Sequence, residues 1–181
     1  MDNETIKTIK TRRSTRGFNQ KEISKDVVKE LLECARYAPS AMNRQPWRFI
    51  VISDKELISE MSEHIKQKAI EKFPHVKERA ESMKDPIFYG SGLLVMILRP
   101  KDDEWAMFDC SAAAENMMLA ARSLEIGSVP VGFAKFLEDD KDIMAKLDIP
   151  EGYEQHITLA LGYVDEWPEA PERSSDDTIW I

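Results

Sequence analysis

The most informative stretch of the chain is DCSAAAENMMLAARSLEIG, residues 109–127. Its alanines, methionines and leucines fall on more than one face of a helix, which is typical of a helix buried at the centre of a fold. Asp109 stands at the end where a helix favours an acid, and Gly127 stands where a helix favours a glycine C-cap. The stretch therefore predicts a central helix that begins near Asp109 and ends at Gly127.

On the N-terminal side of this helix, the pattern predicts a helix, a strand and a second helix. Ser24 is an N-cap for a helix at about residues 25–38, where Pro39 stops the helical spacing. The run WRFIVI, residues 47–52, predicts a strand because aromatic and β-branched residues dominate it. Asp54 then caps a helix whose apolar residues recur at helical spacing.

Further strands are predicted in the second half of the chain. Leu93–Leu98 is continuously apolar, as expected of a buried strand. Val129–Phe133 and His156–Val164 are the other predicted strands, with a helix near Asp139–Leu147 between them. The charged, proline-broken stretch Phe73–Asp85 predicts a mobile helical excursion that covers a site.

Composition limits the partners of the chain. Its 181 residues correspond to about one domain, and 43% hydrophobic with 32% charged residues is typical of a folded chain. The 25 basic and 33 acidic residues give a net charge of −8, which disfavours nucleic acid and anionic membranes. The longest apolar run, residues 92–98, is far shorter than the about 20 residues of a membrane-spanning helix. Cys34 and Cys110 form no CxxC pair, so we expect a reduced, cytoplasmic protein.

Several common catalytic motifs are absent from the sequence. His64, His75 and His156 show no HxxxH or HExxH spacing, so no metal site is predicted. The chain has no P-loop and no GxGxxG motif, and the glycines beside Ser91 do not complete GxSxG. These absences disfavour hydrolases, NTPases and Rossmann dehydrogenases.

The segment Arg12-Arg13-Ser14-Thr15-Arg16 concentrates three guanidinium groups and two hydroxyls in an acidic chain. Guanidinium donors beside hydroxyls suit a phosphate, because arginine binds two oxygens in a fork and serine or threonine adds a further hydrogen bond. A solvated basic turn after a first helix is the alternative, and local composition gives the two interpretations similar weight.

The loop PSAMNRQPW, residues 39–47, is held between two prolines. Its small residues allow a flat ligand to approach the backbone, and Ser40, Asn43 and Gln45 offer groups that pair with the edge of a heterocycle. The prolines limit the entropy lost on binding. An ordinary rigid connection between helix and strand is the alternative.

Taken together, these segments resemble the nitroreductase-like family of FMN-dependent oxidoreductases. RRSTRGF is similar to the family's phosphate and flavin segment, PSAMNRQPWRF to its flavin-contacting loop, and DCSAAAENMMLAARSLEIGSVPVGF to its central helix and the loop after it. LGYVDEWPEAPER is similar to the family's final strand and terminal arginine. The resemblance covers about residues 5–173. It implies a single α+β domain over residues 1–181, with a central mixed or antiparallel sheet flanked by helices and a C-terminal segment exchanged across a homodimer.

The resemblance also implies which residues bind FMN. Arg173 joins the N-terminal segment at the phosphate, Arg16 lies near the flavin ring, and the proline loop contacts the flavin from the partner subunit. The edge of the flavin ring that carries the reacting nitrogen lies along a third segment, residues 130–132. The implied FMN-binding residues are Arg12, Arg13, Ser14, Arg16, Pro39, Ser40, Ala41, Met42, Asn43, Pro130, Val131, Gly132 and Arg173. No protein side chain is implied as a catalyst, because the flavin carries the chemistry.

Several positions depart from the family pattern or need separate mention. Pro171 stands where some members have a lysine, so Arg173 carries more of the phosphate charge. The family's polar residue on the helix before the lid corresponds to Gln67 or Lys68. Residues 65–89 form the lid-like excursion, and residues 165–181, which end in Ile-Trp-Ile, form an extended dimerisation tail.

The implied function is reduction of nitroaromatic, quinone or related acceptors by NAD(P)H through bound FMN, in a ping-pong mechanism at one shared site. The alternatives are a flavin enzyme of the same fold that performs reductive dehalogenation or ring desaturation, and a non-catalytic FMN-binding protein. Turnover of halogenated or partly saturated substrates, or lack of reduction by NADH and NADPH, distinguishes them.

Overall fold

The computed structural model describes residues 3–174 and 177–181. Six α-helices and four β-strands are defined in that part of the chain. In order they are α1 (Glu4–Thr11), α2 (Lys25–Arg36), β1 (Arg48–Ile52), α3 (Lys55–Lys72), α4 (Lys77–Ser82), β2 (Leu93–Pro100), α5 (Ala106–Ser123), β3 (Ile126–Pro130), α6 (Lys141–Lys146) and β4 (Tyr153–Tyr163). Three 3-10 segments, Ala41–Asn43, Pro74–Val76 and Gly132–Asp139, lie between them. None of the helices in the described ranges is both long and apolar enough to span a membrane.

The four strands form one sheet in the order β1-β2-β4-β3, and every neighbouring pair is antiparallel. A single parallel bridge joins Ser14 to Ser128 of β3, which attaches the arginine-rich segment to the edge of the sheet. The α+β class with a central sheet flanked by helices is confirmed. The exchange of the C-terminal segment across a homodimer remains a prediction.

Residues 93–98 of strand β2 are apolar at every position because both faces of the strand are buried. Leu94, Met96 and Leu98 face the core with α3, while Leu93, Val95 and Ile97 face α2 and α5. Side chains of a strand alternate between the two faces, so a strand covered on both faces is apolar throughout. The prediction of a buried strand is confirmed.

Helix α5 is the central helix that the alanine- and methionine-rich run predicts. It begins at Ala106, ahead of Asp109, and ends at Ser123. The expected glycine C-cap is wrong: Glu125 takes the left-handed conformation, with φ of 57°, and Gly127 lies inside β3. Gly127 is required there for another reason, since an added Cβ would lie 2.5 Å from Thr15 Oγ1.

Strand β3 corrects a second boundary. It covers Ile126–Pro130 rather than Val129–Phe133, because the chain turns into the 3-10 segment from Gly132 onward. The predicted helix near Asp139–Leu147 is confirmed as α6, with Asp140 as its N-cap.

The predictions on the N-terminal side are confirmed within a few residues. The Ser24 hydroxyl accepts a hydrogen bond from Val27 N at the start of α2, and the Asp54 carboxylate accepts one from Leu57 N at the start of α3. The excursion after Phe73 folds into a 3-10 turn and the short helix α4. Residues 164–174 and 177–181 form no helix or strand.

Candidate functional site

Backbone hydrogen bonds fix the arginine-rich segment to the sheet. Thr15 N donates to Ser128 O at 3.1 Å, and Phe18 N donates to Tyr89 O at 3.2 Å. The segment lies so close to the strands that a Cβ at Gly127 would meet Thr15, and a Cβ at Gly162 would lie 2.8–2.9 Å from Phe18 ring and Cβ atoms. The two glycines therefore form a cradle for the segment.

The segment and the C-terminal tail enclose a cavity of about 350 Å³, which we call the cation cavity. Its lining residues are Arg12, Arg13, Ser14, Arg16, Pro168, Glu169, Pro171 and Arg173. The four arginines thus come together although Arg173 is far from the others in sequence. The exposed Glu169 contributes the one carboxylate of this lining.

Each arginine of the cation cavity is held differently. Arg12 Nε lies 3.3 Å from Glu115 Oε1 on α5. Arg13 Nη1 donates to the carbonyl oxygens of Lys10 and Arg12 at 2.8 and 2.7 Å, while its Nε is buried with no hydrogen-bond acceptor. Within residues 3–174 and 177–181, Arg16 and Arg173 form no ion pair. A buried unpaired donor beside unpaired guanidinium groups fits a phosphate.

A second cavity of about 490 Å³ lies beneath the excursion, and we call it the lid cavity. Its lining residues are Arg16, Lys66, Ala69, Val76, Arg79, Ala80, Pro86, Ile87, Tyr89, Pro130, Val131, Gly132 and Phe133. Arg16 lines both cavities, so the two spaces meet at one side chain. Of the thirteen FMN-binding candidates, four line the lid cavity: Arg16, Pro130, Val131 and Gly132.

The loop of Pro39 to Asn43 is placed apart from both cavities: in the described ranges, none of its residues lines either one. Ala41 N donates to the Asp109 carboxylate at 3.2 Å, which ties the loop to the first turn of α5. Met42 and Asn43 adopt left-handed φ values of 55° and 53°, and Met42 is 93% exposed. A polar loop in a strained conformation is typical of a functional position.

Large apolar side chains are exposed around this loop and on neighbouring parts of α2 and α5. Trp105 and Phe108, at the start of α5, are 68% and 62% exposed, and their ring centroids lie 6.1 Å apart. Tyr37, Met42 and Met107 are exposed as well. Several exposed large apolar side chains in one region favour an interaction surface there.

Comparisons with known proteins agree with this geometry. The model of the nitroreductase family matches residues 9–163. The chain belongs to the nitroreductase family. It is 36% identical over 184 residues to a protein of Archaeoglobus fulgidus named "Putative NADH dehydrogenase/NAD(P)H nitroreductase", covering 97% of this chain and 96% of that protein.

A solved structure and a more distant relative are also similar to the chain. The crystal structure of a nitroreductase with bound FMN from Bacteroides fragilis superposes with a TM-score of 0.86, at 32% identity over 99% of both chains. An iodotyrosine deiodinase of Thermotoga neapolitana is 24% identical over 87% of both chains. The nitroreductase fold expected from the resemblance is therefore confirmed.

The polar residue expected on the helix before the lid, Gln67 or Lys68, stays a prediction. The structure places Lys66 at the lid cavity, whereas Gln67 turns to the Glu63 carboxylate and Lys68 to Glu71. Hydrogen bonds from Lys66 and Gln67 lower the pKa of Glu63. Lys66 shares a helix face with Ser62 and Ala69, four positions before and three after it, and both are buried in the structure.

Proposed function

We propose that this nitroreductase-family protein binds FMN and uses NAD(P)H to reduce small nitroaromatic, quinone or related acceptors. The observation that carries the proposal is the convergence of four arginines on the cation cavity, which meets the lid cavity at Arg16. A phosphate-binding end joined to a larger, mostly apolar space fits a flavin mononucleotide. The FMN bound in the Bacteroides fragilis nitroreductase supports the same cofactor.

The residues around the cation cavity would hold the phosphate. Within residues 3–174 and 177–181, Arg13 has a buried Nε with no acceptor and Arg173 has no ion pair, and Ser14 adds a hydroxyl. The ion pair between Arg12 and Glu115 fixes the direction of one guanidinium before the ligand arrives. Prepositioned donors bind an anion with less loss of side-chain entropy.

Residues of the lid cavity would hold the flavin ring. When bound, FMN supplies the redox chemistry, accepting electrons from a nicotinamide and passing them to an acceptor. Arg16 places a positive charge where the two cavities meet, which stabilises negative charge on the ligand. Along the third segment, Pro130 has no N–H and Val131 donates its own to Thr158 O at 2.8 Å, so Gly132 is the residue that can offer a backbone N–H.

The same proposal includes a homodimer with two sites. The loop of Pro39 to Asn43 reaches neither cavity of its own chain, so it would meet the flavin only in the partner's site. Exposed Trp105, Phe108 and Met42 supply apolar surface for that contact. In the tail, Ile179–Ile181 is exposed too, which fits a segment that packs on a partner.

One shared pocket would serve both electron donor and acceptor in turn. The sequence carries no separate dinucleotide motif, and the lid cavity, which would hold the flavin ring, would also admit the donor or the acceptor beside that ring. Donor and acceptor then exclude each other, which gives ping-pong kinetics. The two cysteines are both free, which fits action in a reducing, cytoplasmic environment.

The test begins with the absorption spectrum of the purified protein. We expect flavin bands and the release of FMN rather than FAD on denaturation. Initial rates with NADH or NADPH and a nitroaromatic acceptor should exceed those of free FMN and give parallel double-reciprocal lines. Flavin binding without turnover would instead indicate an FMN-binding protein, and turnover confined to halogenated substrates would indicate a dehalogenase.

A further inference from the structure

We propose that the acceptor reduced by this protein is an aromatic carboxylate, and that Arg79 on α4 is the residue that selects it. This inference rests on the proposed function and deepens it by naming the substrate class. The carboxylate of the acceptor would pair with the Arg79 guanidinium while its ring lies against the apolar wall of the lid cavity.

The charge of the lid cavity is the first observation. Three cationic side chains line it, those of Arg16, Lys66 and Arg79, and none of its lining residues in the described ranges carries a carboxylate. The whole chain has a net charge of −8, so this local excess of positive charge runs against the composition. A concave site with one sign of charge concentrates ligands of the opposite sign.

The three cationic side chains of the lid cavity differ in their contacts with the rest of the protein. Lys66 pairs with the exposed Glu63, and Arg16 lies over the Tyr89 ring at 6.0 Å and also lines the cation cavity. The Arg79 guanidinium has no ion pair or hydrogen bond among residues 3–174 and 177–181. Arg16 also has no ion pair among these residues, but it lines the cation cavity as well, whereas Arg79 lines the lid cavity and not the cation cavity.

Apolar side chains form one wall of the lid cavity, and Phe133 in that wall is held by two other protein rings. Phe133 stacks on Phe136 with ring centroids 5.8 Å apart and planes 18° apart, and on Phe73 at 5.9 Å and 20°. Ala69 and Ile87 line the same space. An aromatic ring prefers such offset stacking to contact with water.

The absence of an acidic lining residue separates this substrate class from amino acids. A zwitterion would bring an ammonium group into the cavity, and no carboxylate of the described lining residues could neutralise it. An aromatic acid with no ammonium meets a complementary surface. For a nitrobenzoate, the reaction consumes one NAD(P)H and one solvent proton, reduces the nitro group to a nitroso group, and releases water and NAD(P)⁺.

The experiment compares 4-nitrobenzoate with its methyl ester, which removes the charge and keeps the ring and the nitro group. The FMN-loaded enzyme should prefer the acid, and Arg79→Gln should lower the acid-to-ester ratio of kcat/KM by about tenfold, mainly through the KM of the acid. Arg79→Lys should retain most of the preference, because it keeps the positive charge.

Lys77→Gln is the matched control, since Lys77 is on the same helix, pairs with Glu81 and does not line the cavity. It should leave the ratio unchanged. Calorimetric titration with benzoate, which is not reduced, should show binding that is lost in Arg79→Gln, with benzamide as the neutral reference.

Two results would overturn the inference while leaving the proposed function intact: equal use of acid and ester by every variant, or an Arg79→Gln effect on the KM of NADPH alone. A protein that reduces neither compound but binds benzoate through Arg79 would contradict the proposed function and support the anion site.

Discussion

The arginine-rich segment and the proline loop are both short and polar, yet the fold treats them in opposite ways. The segment Arg12–Phe18 is hydrogen-bonded to the sheet and lines two cavities of its own chain. The loop of Pro39 to Asn43 lines neither, and its Met42 side chain is 93% exposed. We therefore propose that the arginine half of the candidate site is complete within one chain and that the loop meets the flavin of a partner subunit.

Rigidity is the feature that the two regions share. The segment is fixed by Gly127 and Gly162, which leave room for Thr15 and Phe18. The loop is fixed by its bond to Asp109 and holds left-handed residues, each of which costs about 1 to 3 kcal/mol outside glycine. A strained conformation that faces solvent is consistent with a loop shaped to contact a partner.

Removal of residues 165–181 should have the largest effect. The truncation deletes Arg173 from the cation cavity, removes the contact of Trp167 with the Arg122 guanidinium, and takes away the apolar end of the tail. We expect loss of both FMN and dimer, measured by absorbance and by sedimentation against the about 42 kDa expected for two chains of 20.8 kDa. A truncated protein that is still dimeric and yellow would show that the tail serves neither half of the site.

Replacement of Arg173 by Ala should weaken FMN binding by about 1.5 to 3 kcal/mol, the contribution of a hydrogen bond to a charged group. The dissociation constant is measured by quenching of flavin fluorescence. Arg36→Ala is the control, because it removes an exposed guanidinium from α2, outside the cavity. An unchanged dissociation constant for Arg173→Ala would remove the phosphate from this cavity.

Sequence patterns predicted the fold well because most elements carry local signals. Ser24 and Asp54 cap their helices as expected, and the apolar run at residues 93–98 forms the strand buried on both faces. The wrong boundary at Gly127 has a tertiary cause. A glycine that ends a helix and a glycine that admits Thr15 look the same in sequence, and only the packed structure distinguishes them.

The resemblance named the arginines that line the cation cavity, but the arrangement of the candidate site and some of its lining residues were not predictable. The resemblance named Arg173, and the structure then placed it beside Arg12, Arg13 and Arg16. The phase of α3 decides that Lys66 lines the lid cavity, which depends on where the helix packs. Nothing in the sequence predicted that Arg79 lines the lid cavity. The short helix α4 shows no strong periodic pattern from which the orientation of its side chains could be predicted.

Gly127→Ala should loosen the attachment of the arginine segment. An added methyl group would lie 2.5 Å from Thr15 Oγ1 and 2.7 Å from Val164 Cγ1, so the segment or strand must shift. We expect a loss of about 1 to 2 kcal/mol of unfolding free energy in urea, together with weaker FMN binding. Gly92→Ala, whose added Cβ would meet nothing within 4 Å, should change neither; equal effects of the two substitutions would contradict the cradle.

The smallest effect is expected from the thiols beside the loop. Burial, followed by the neighbouring Asp109 carboxylate, raises the pKa of Cys110 to about 12, and burial followed by Glu30 raises the pKa of Cys34. Because Cys110 is buried and its raised pKa keeps it a neutral thiol at pH 8, iodoacetamide should label it only after unfolding. Labelling of the partly exposed Cys34 should accelerate as pH rises. Rapid modification of Cys110 in the folded protein at pH 8 would show that the start of α5 opens.

The most direct test of a site shared between two chains is a heterodimer with one defect in each subunit. One subunit carries Arg13→Ala and Arg173→Ala, the other carries Ser40→Ala and Asn43→Ala, and different affinity tags isolate the mixed dimer. Each homodimer should lose tight FMN binding.

In the mixed dimer, the intact arginines of one chain meet the intact loop of the other at one of the two sites. A site shared between two chains predicts one FMN per heterodimer, bound with the dissociation constant of the unmodified protein. If segment and loop of the same chain formed each site, both sites would carry a defect, and a heterodimer without tightly bound FMN would contradict the account.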